Sequence, residues 1–339
     1  MSPRVVSLDP RAPEEAWREA LEEACSLLRA GGLVAFPTET VYGLGGRALD
    51  PEALGKIFDA KGRPRTHPLI AHVVDEAGAK ALASAWSERA ARLAHTFWPG
   101  PMTLVVPRAA HVPAVLAGGG DSVAVRAPGH RIARALIATL GEPIAAPSAN
   151  RYQSISPTRA EHVVKSLGAR VDLVLDGGAC EAGIESTVVD VRGARARVLR
   201  PGALPVAALR AIEPDLEAAE ATASEDAARP SPGMDARHYA PHARVVLAPS
   251  RAEALAAARE GAAAGKVGLV LRGDVKMAVA VAPSVDARVL PDDPAGYAAA
   301  LFATLHALDD AGVQSIVLEA VPEGDAWWAV ADRLRRASA

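Results

Sequence analysis

The residues best equipped for chemistry in this 339-residue chain are arginines, hydroxyls and amides gathered at the ends of short apolar runs. PTETVYGLGG, Pro37–Gly46, places Thr38, Glu39, Thr40 and Tyr42 directly after one such run, followed by glycines that let backbone approach a ligand. A plain glycine-rich loop explains the same letters. The spacing is not GxGxxG, so a dinucleotide fingerprint is unsupported. KGRPRTHPL, Lys61–Leu69, offers Lys61, Arg63 and Arg65 at alternate positions, a cationic comb suited to phosphates if the segment is extended. A solvated helix end with favourable dipole charges fits the same residues. Arg126 closes the apolar run of DSVAVRAP. A guanidinium there calls for an anion, supplied by a ligand or by an internal Asp or Glu. APSAN ends another run, with Ser148 and Asn150 followed by Ser154 and Ser156. Small hydroxyl and amide groups in that place suit nucleotide contacts or a capped turn. GIESTVVDV sets Ser186 and Thr187 at a strand entrance, and LRPG sets Arg200 at a strand exit. His67 and His72 stand near the cationic segment, but no HxH or HExxH spacing points to a metal site.

The elements that must position these groups follow from periodicity. Glu14 to Ala30 repeats apolar residues at helical spacing, and Gly31-Gly32 supply a stop. Pro51 opens a second helix, PEALGKIFDAK, with Gly62 placed for a left-handed cap. Ser87 to Phe97 is a further helix. Short strands are expected at Leu33–Phe36, Leu69–Val74, Thr103–Val106, Ser122–Arg126, Ile144–Ala146, Val171–Leu175, Thr187–Val191 and Arg197–Leu199. Many strands interleaved with few helices predict a mixed α/β or α+β sheet rather than a regular parallel one. Between 213 and 243 the periodicity stops, and RPSPGMDARHYAPHA is rich in proline, glycine and polar residues, as a linker would be. Beyond it, strands at 244–248, 266–272 and 314–319 alternate with helices at 250–264, 294–310 and 324–337, the pattern of a small Rossmann-like α/β domain. The expected division is therefore 1–212, a linker 213–243, and 244–339.

Composition narrows the function classes. The formal net charge of −3 lacks the strongly basic footprint of a dedicated nucleic-acid binder, though a local basic cleft is compatible with it. MSPRVVSLDPRAP has no signal-peptide core and no apolar run reaches membrane-spanning length, so a cytoplasmic location is expected. Cys25 and Cys180 lie far apart without a CxxC, which argues against a disulfide framework or structural zinc. Arginines number 31 and lysines only six, so a lysine retained beside candidate phosphate contacts stands out.

Taken in order, PTETVYGLG, KGR, PLIAHV, SVAVRAP, APSAN, ESTVVD and LRPG resemble the YrdC family of threonylcarbamoyl-AMP synthases over about Val5 to Ile212. The KxR and SxN pair is the most specific part of the likeness. PGMDARHYAP and the second α/β domain resemble the long form of that family. At His67 relatives often carry asparagine.

The resemblance implies a twisted mixed sheet around a large, positively lined cavity. It also implies the joining of L-threonine, bicarbonate and ATP into threonylcarbamoyl-AMP and pyrophosphate, for threonylcarbamoyladenosine modification of tRNA beside the anticodon. Threonine would be held by Thr40, His72, Arg126, the backbone at Ala146, and Ser186. ATP would meet Arg63, His67, Ser122, Ser148, Asn150, Ser156 and Arg200. Lys61 and Arg63 would act on the phosphates by positioning and charge, since no histidine–acid couple activates a nucleophile. Mg²⁺ would ride on the ATP phosphates rather than on a protein carboxylate cluster. The product would pass to a tRNA threonylcarbamoyltransferase complex, with weak RNA binding by the chain itself a further expectation. Arg237 and Tyr239 in the linker would help it act as a lid, since the carbamate and its anhydride with AMP both hydrolyse. Two other readings are a carbamoyl-AMP-forming carbamoyl-transfer enzyme and a non-catalytic RNA-binding module. The first normally carries acylphosphatase and zinc-finger segments, and the near-neutral charge weakens the second.

Overall fold

The computed structural model describes residues 2–218, 238–274 and 281–339, and by Cα proximity the chain falls into two compact units. The first takes 1–152, 157–181 and 185–234; the second takes 153–156, 182–184 and 235–339.

Among the described residues the first unit builds one sheet from β1 (Arg4–Ser7), β2 (Val34–Phe36), β3 (Gly43–Arg47), β4 (Ile70–His72), β5 (Met102–Pro107) and β6 (Ser122–Arg126), with β7 (Ile144–Ala145), β8 (Leu173–Asp176), β9 (Thr187–Asp190), β10 (Arg197–Arg200) and β11 (Glu217–Ala218). Their order is β1-β8-β2-β3-β7-β4-β6-β5-β9-β10-β11. Parallel pairs such as β4–β6 and β5–β9 alternate with antiparallel ones such as β2–β3 and β5–β6, so the sheet is mixed as expected. The helices are α1 (Arg18–Arg29), α2 (Pro51–Lys61), α3 (Glu76–Leu82), α4 (Glu88–Phe97), α5 (Arg131–Leu140), α6 (Ala160–Leu167) and α7 (Val206–Ile212). The apolar stripe of α1, including Leu21, Ala24 and Leu28, meets Ile132, Leu136 and Leu140 of α5 over Val34, Leu173 and Leu175. Helix α2 starts where Asp50 accepts from the amides of Glu52 and Ala53, with Pro51 as its first residue, and stops at Gly62 with φ +65°.

Two readings from the sequence need correction. The glycines after Tyr42 form a buried strand, β3, paired with β2 and β7. A Cβ at Gly45 would lie 2.8 Å from Phe36 Cε1 and 3.0 Å from Val34 O, so glycine is required there by sheet packing rather than by a ligand. Helices are also more numerous than expected. Helices α3, α5, α6 and α7 add to the expected set, and α5 buries Ile132, Ala133, Leu136, Ile137 and Leu140 on one face with Arg131, Arg134 and Thr139 exposed on the other, a helical period present in the letters.

The second unit holds a parallel sheet ordered β12-β15-β13-β14, from β12 (Arg244–Ala248), β13 (Val267–Arg272), β14 (Val285–Leu290) and β15 (Ser315–Glu319), with α8 (Arg251–Gly261), α9 (Pro294–Asp310) and α10 (Trp328–Ala337). Strand β14, an edge strand not expected from the sequence, alternates Val285, Ala287 and Val289, which pack on the core, with Asp286 and Arg288. Two short loops from earlier in the chain belong to this unit. Ala240 N donates to Gln153 O at 2.9 Å, and His306 Nε2 lies 3.1 Å from Ser156 O. Gly183, at φ +68°, lies so close to α9 that a Cβ would fall 2.5 Å from Ala299 O. No helix among the described residues is long and apolar enough to cross a membrane.

Candidate active site

Strand register assembles the first cluster. His72 is the cross-strand partner of Arg126 on β6 and of Ile144 on β7, and Ala146 N donates to Ile70 O at 3.0 Å. The carboxyl ends of β4 and β6 therefore meet the amino end of β7, which sets His72 beside Arg126, while Ala146, just past β7, is level with Ile70, two residues back along β4. The loop after β2 adds Thr40, whose Oγ1 accepts from Arg126 Nη1 at 3.0 Å. Arg126 is buried, and it finds its anion within the chain: Nη2 donates to Glu39 Oε1 at 2.6 Å, and Nε donates to Gly100 O at 3.2 Å. Burial pushes the Glu39 carboxyl up, but the Arg126 charge and hydrogen bond, with backbone hydrogen bonds from Gly129 and Glu39, outweigh it and hold the group below the ordinary carboxylate range. Burial drives His72 the other way for a base, down to about 3, with Arg126 adding to the effect, so its imidazole is neutral at pH 7.

A second group forms beside β9. Ser186 Oγ lies 2.8 Å from Thr103 Oγ1, and Arg200 Nη2 donates to Ser186 O at 2.9 Å and to Ser186 Oγ at 3.2 Å. The parallel pairing of Met102 with Thr187 sets this contact.

The third group surrounds the end of α2. Lys61 Nζ donates to the carbonyls of Ser148 at 2.5 Å and Asn150 at 2.6 Å, and Tyr152 N donates to Lys61 O at 2.9 Å. Burial, then the charges of Arg63 and Arg151, lower the Lys61 pKa well below its ordinary value, against the pull of Glu185. Arg63 Nη2 donates to Pro68 O at 3.2 Å, its guanidinium stands 6.0 Å from the Tyr152 ring centre, and His67 meets the same ring edge-on at 5.6 Å. The expected comb of Lys61, Arg63 and Arg65 does not form. The left-handed turn at Gly62 breaks the extended segment it requires, and Arg65 pairs with Asp59 at the surface. Ser122 starts β6 four residues before Arg126, roughly 13 Å away along a strand. Extending the β4–β6 register by two residues sets Ser122 level with Pro68, on the Arg63 side.

The structure thus groups Thr40, His72 and Arg126 at the carboxyl ends of β4 and β6, and groups Ser148, Asn150, Arg63 and His67 about Lys61 and Tyr152, with Ala146 and Ser148 two residues apart in one loop. Ser186 and Arg200 stand together beside β9. Ser156 is buried in the second unit. Arg237 lies outside the described residues, while Tyr239 is in the second unit, 1% exposed, with its ring 5.4 Å from Phe302 and 5.3 Å from the Arg333 guanidinium. Sequence reasoning did not assign Glu39, Thr103 or Tyr152. Glu39 was signalled by its place beside Thr40, but nothing in the letters tells which anion Arg126 meets. Among the described residues no group of three or more His, Cys, Asp or Glu side chains is arranged to hold a metal ion.

Among the described residues, arginines and small hydroxyls at strand ends and a buried lysine clasping a loop mark an α/β protein equipped to hold anions by charge and hydrogen bonds. The chain belongs to the threonylcarbamoyl-AMP synthase family. Residues 26–202 match the Sua5/YciO/YrdC family described as telomere recombination, and 204–339 match the threonylcarbamoyl-AMP synthase C-terminal domain. The chain is 40% identical to the threonylcarbamoyl-AMP synthase of Pyrococcus abyssi, covering 95% of this chain and 96% of that one. It is 37% identical to the Bacillus subtilis protein of the same name, over 94% and 92%. The crystal structure of P. abyssi Sua5 complexed with L-threonine superposes with a TM-score of 0.89 at 39% identity, covering 98% and 97%.

Proposed function

We infer that this chain is an L-threonylcarbamoyladenylate synthase. The observation that carries the reading is the meeting of Thr40, His72 and Arg126 at the carboxyl ends of β4 and β6, with Ala146 two residues back along β4, in a chain matched over nearly its whole length by a threonine-bound structure. Arg126 takes the substrate carboxylate, for which a guanidinium is the natural bidentate partner. Threonine's ammonium and bicarbonate give a carbamate, water and a proton. A carbamate oxygen then attacks the α-phosphorus of ATP, the bond to the β-phosphate breaks, and pyrophosphate leaves.

Arg63, His67, Ser122, Ser148, Asn150, Ser156 and Arg200 hold the nucleotide, and Ser186 completes the threonine contacts. Mg²⁺ enters on the ATP phosphates, and the protein's own groups hold the nucleotide rather than the ion. Lys61 acts chiefly through the Ser148–Asn150 loop it clasps. The product passes to a tRNA threonylcarbamoyltransferase complex in the cytoplasm. The segment 213–243, of which 219–237 lies outside the described residues, is assigned the shielding of the labile intermediates, and Tyr239, packed on Phe302, is its described member.

The test is purified protein with ATP, bicarbonate and each amino acid in turn, measuring pyrophosphate and threonylcarbamoyl-AMP together. Pyrophosphate release should require threonine, and release indifferent to it sinks the reading. In the same assay Tyr239→Ala should lower the yield of intact adenylate per pyrophosphate, and an unchanged ratio removes the shielding role.

A further inference from the structure

Arg126, read above as the carboxylate receptor, already carries a carboxylate, because its Nη2 holds Glu39 Oε1 at 2.6 Å. The backbone at Gly129 and Glu39 itself adds hydrogen bonds to the carboxyl. Its Oε2 is sealed from solvent and accepts no hydrogen bond, although a carboxylate can accept about four. A buried acceptor left without a donor is costly. Gly129 is the backbone neighbour of Glu39: a Cβ there would sit in ordinary contact with Glu39 Cδ at 3.5 Å, and the Gly129 backbone hydrogen bond helps keep the carboxyl ionised. His72 and His130 face the same carboxylate, but burial lowers both below the ordinary histidine range, which leaves Arg126 as the cation beside it.

A second carboxylate arriving on Arg126 creates a difficulty that depends on what else the ligand carries. With Glu39 in place, two anions share one guanidinium in a water-poor site, where like charges repel strongly. With Glu39 displaced, a buried carboxylate loses its counter-ion, which is a severe penalty. An α-amino acid escapes both outcomes because its ammonium sits one carbon away from its carboxylate.

We propose that Glu39 is the receptor for the α-ammonium of the substrate, through Oε2. The buried Glu39–Arg126 pair then exchanges partners with the zwitterion, and two ion pairs replace one at constant net charge. This rests on the threonine reading of the site and adds what that reading lacks, a group that distinguishes an amino acid from any other small carboxylate. A hydroxy acid of the same shape supplies the carboxylate and leaves Glu39 stranded.

The experiment is calorimetric titration of the full chain with L-threonine and with (R)-3-hydroxybutyrate, which keeps the carboxylate and β-hydroxyl and replaces the amine by hydrogen. Glu39→Gln should raise the threonine Kd about 10- to 100-fold, the size of a lost hydrogen bond to a charged group, while leaving 3-hydroxybutyrate binding unchanged or tighter. Glu39→Asp, with the charge kept and the reach shortened, should fall between wild type and Glu39→Gln, and it serves alone if the glutamine variant does not fold. Arg126→Gln should weaken both ligands. Threonine binding to Glu39→Gln at wild-type strength or better overturns the proposal, because Glu39 is then a bystander or a competitor. Equal weakening of both ligands also overturns it, as general damage to the site. If those results come with the expected loss in Arg126→Gln, the threonine site stands and Glu39 alone is misassigned. If Arg126→Gln binds threonine normally, the carboxylate assignment falls and takes this proposal with it.

Discussion

Lys61 carries an amine into the interior, 2% exposed, and commits two of its N–H donors to the carbonyls of Ser148 and Asn150. Two donors are what a neutral amine retains, so the clasp survives deprotonation. The consequence is a pH dependence whose sign can be worked out. The folded chain holds the Lys61 pKa below its value in the unfolded chain. Between those two values the unfolded state binds the extra proton, so stability rises with pH through that window and falls as pH drops through the folded value. Lys61→Met should flatten the rise. Urea unfolding at about pH 8 and about pH 10, compared between wild type and variant, measures it; the same slope in both would show that the amine titrates normally. The variant should also weaken ATP more than threonine, because the loop it releases carries Ser148 and Asn150 and not Arg126.

Among the elements, β3 links the loop bearing Glu39 and Thr40 to the strands bearing Ala146 and His72. Its neighbours are β2 on one side and β7 on the other, and β7 pairs with β4. Gly45 permits that spacing, since any side chain meets Phe36, Ile144 and the Val34 carbonyl at 2.8–3.0 Å. Gly45→Ala is therefore an overpacking change, expected to cost about 1–3 kcal/mol. The urea midpoint reads this directly. A neutral result would mean that Phe36 and Ile144 have slack, and that the sheet does not fix the distance from Thr40 to Ala146 as tightly as the register implies.

At the scale of the whole molecule, the boundary between the two family segments at 202 and 204 is not the boundary of the compact units. The loops 153–156 and 182–184 belong by sequence to the first segment and by packing to the second unit. Gly183 exposes this to measurement. Gly183→Ala meets both a left-handed backbone, φ +68°, and the carbonyl of Ala299, whereas Gly141→Ala meets φ +78° and nothing within 4 Å. The Gly141 variant should lose only the backbone contribution, roughly 1 kcal/mol, and the Gly183 variant should lose roughly 1–3 kcal/mol more. Equal losses in thermal unfolding would show that the 182–184 loop can move off α9 without cost.

The strands and helices whose apolar residues repeat on one face were legible in the letters, as was the cap at Gly62, because those signals are local. The family likeness was legible too, since it resides in the order of motifs along the chain. A glycine-rich strand packed on both faces carried no such signal, so β3 read as a loop, whereas α5 held its one-face period in the letters and was still not expected. Proximity was decided only by the tertiary structure. Register across β4, β6 and β7 sets His72 beside Arg126 and places Ala146 opposite Ile70, two residues away, and a left-handed turn at Gly62 sends Lys61 inward and Arg65 to the surface. The anion beside Arg126 belongs to the same class. An arginine at a strand end states that an anion is needed, but only the folded path of the chain, returning 87 residues away in sequence, supplies Glu39 to meet it.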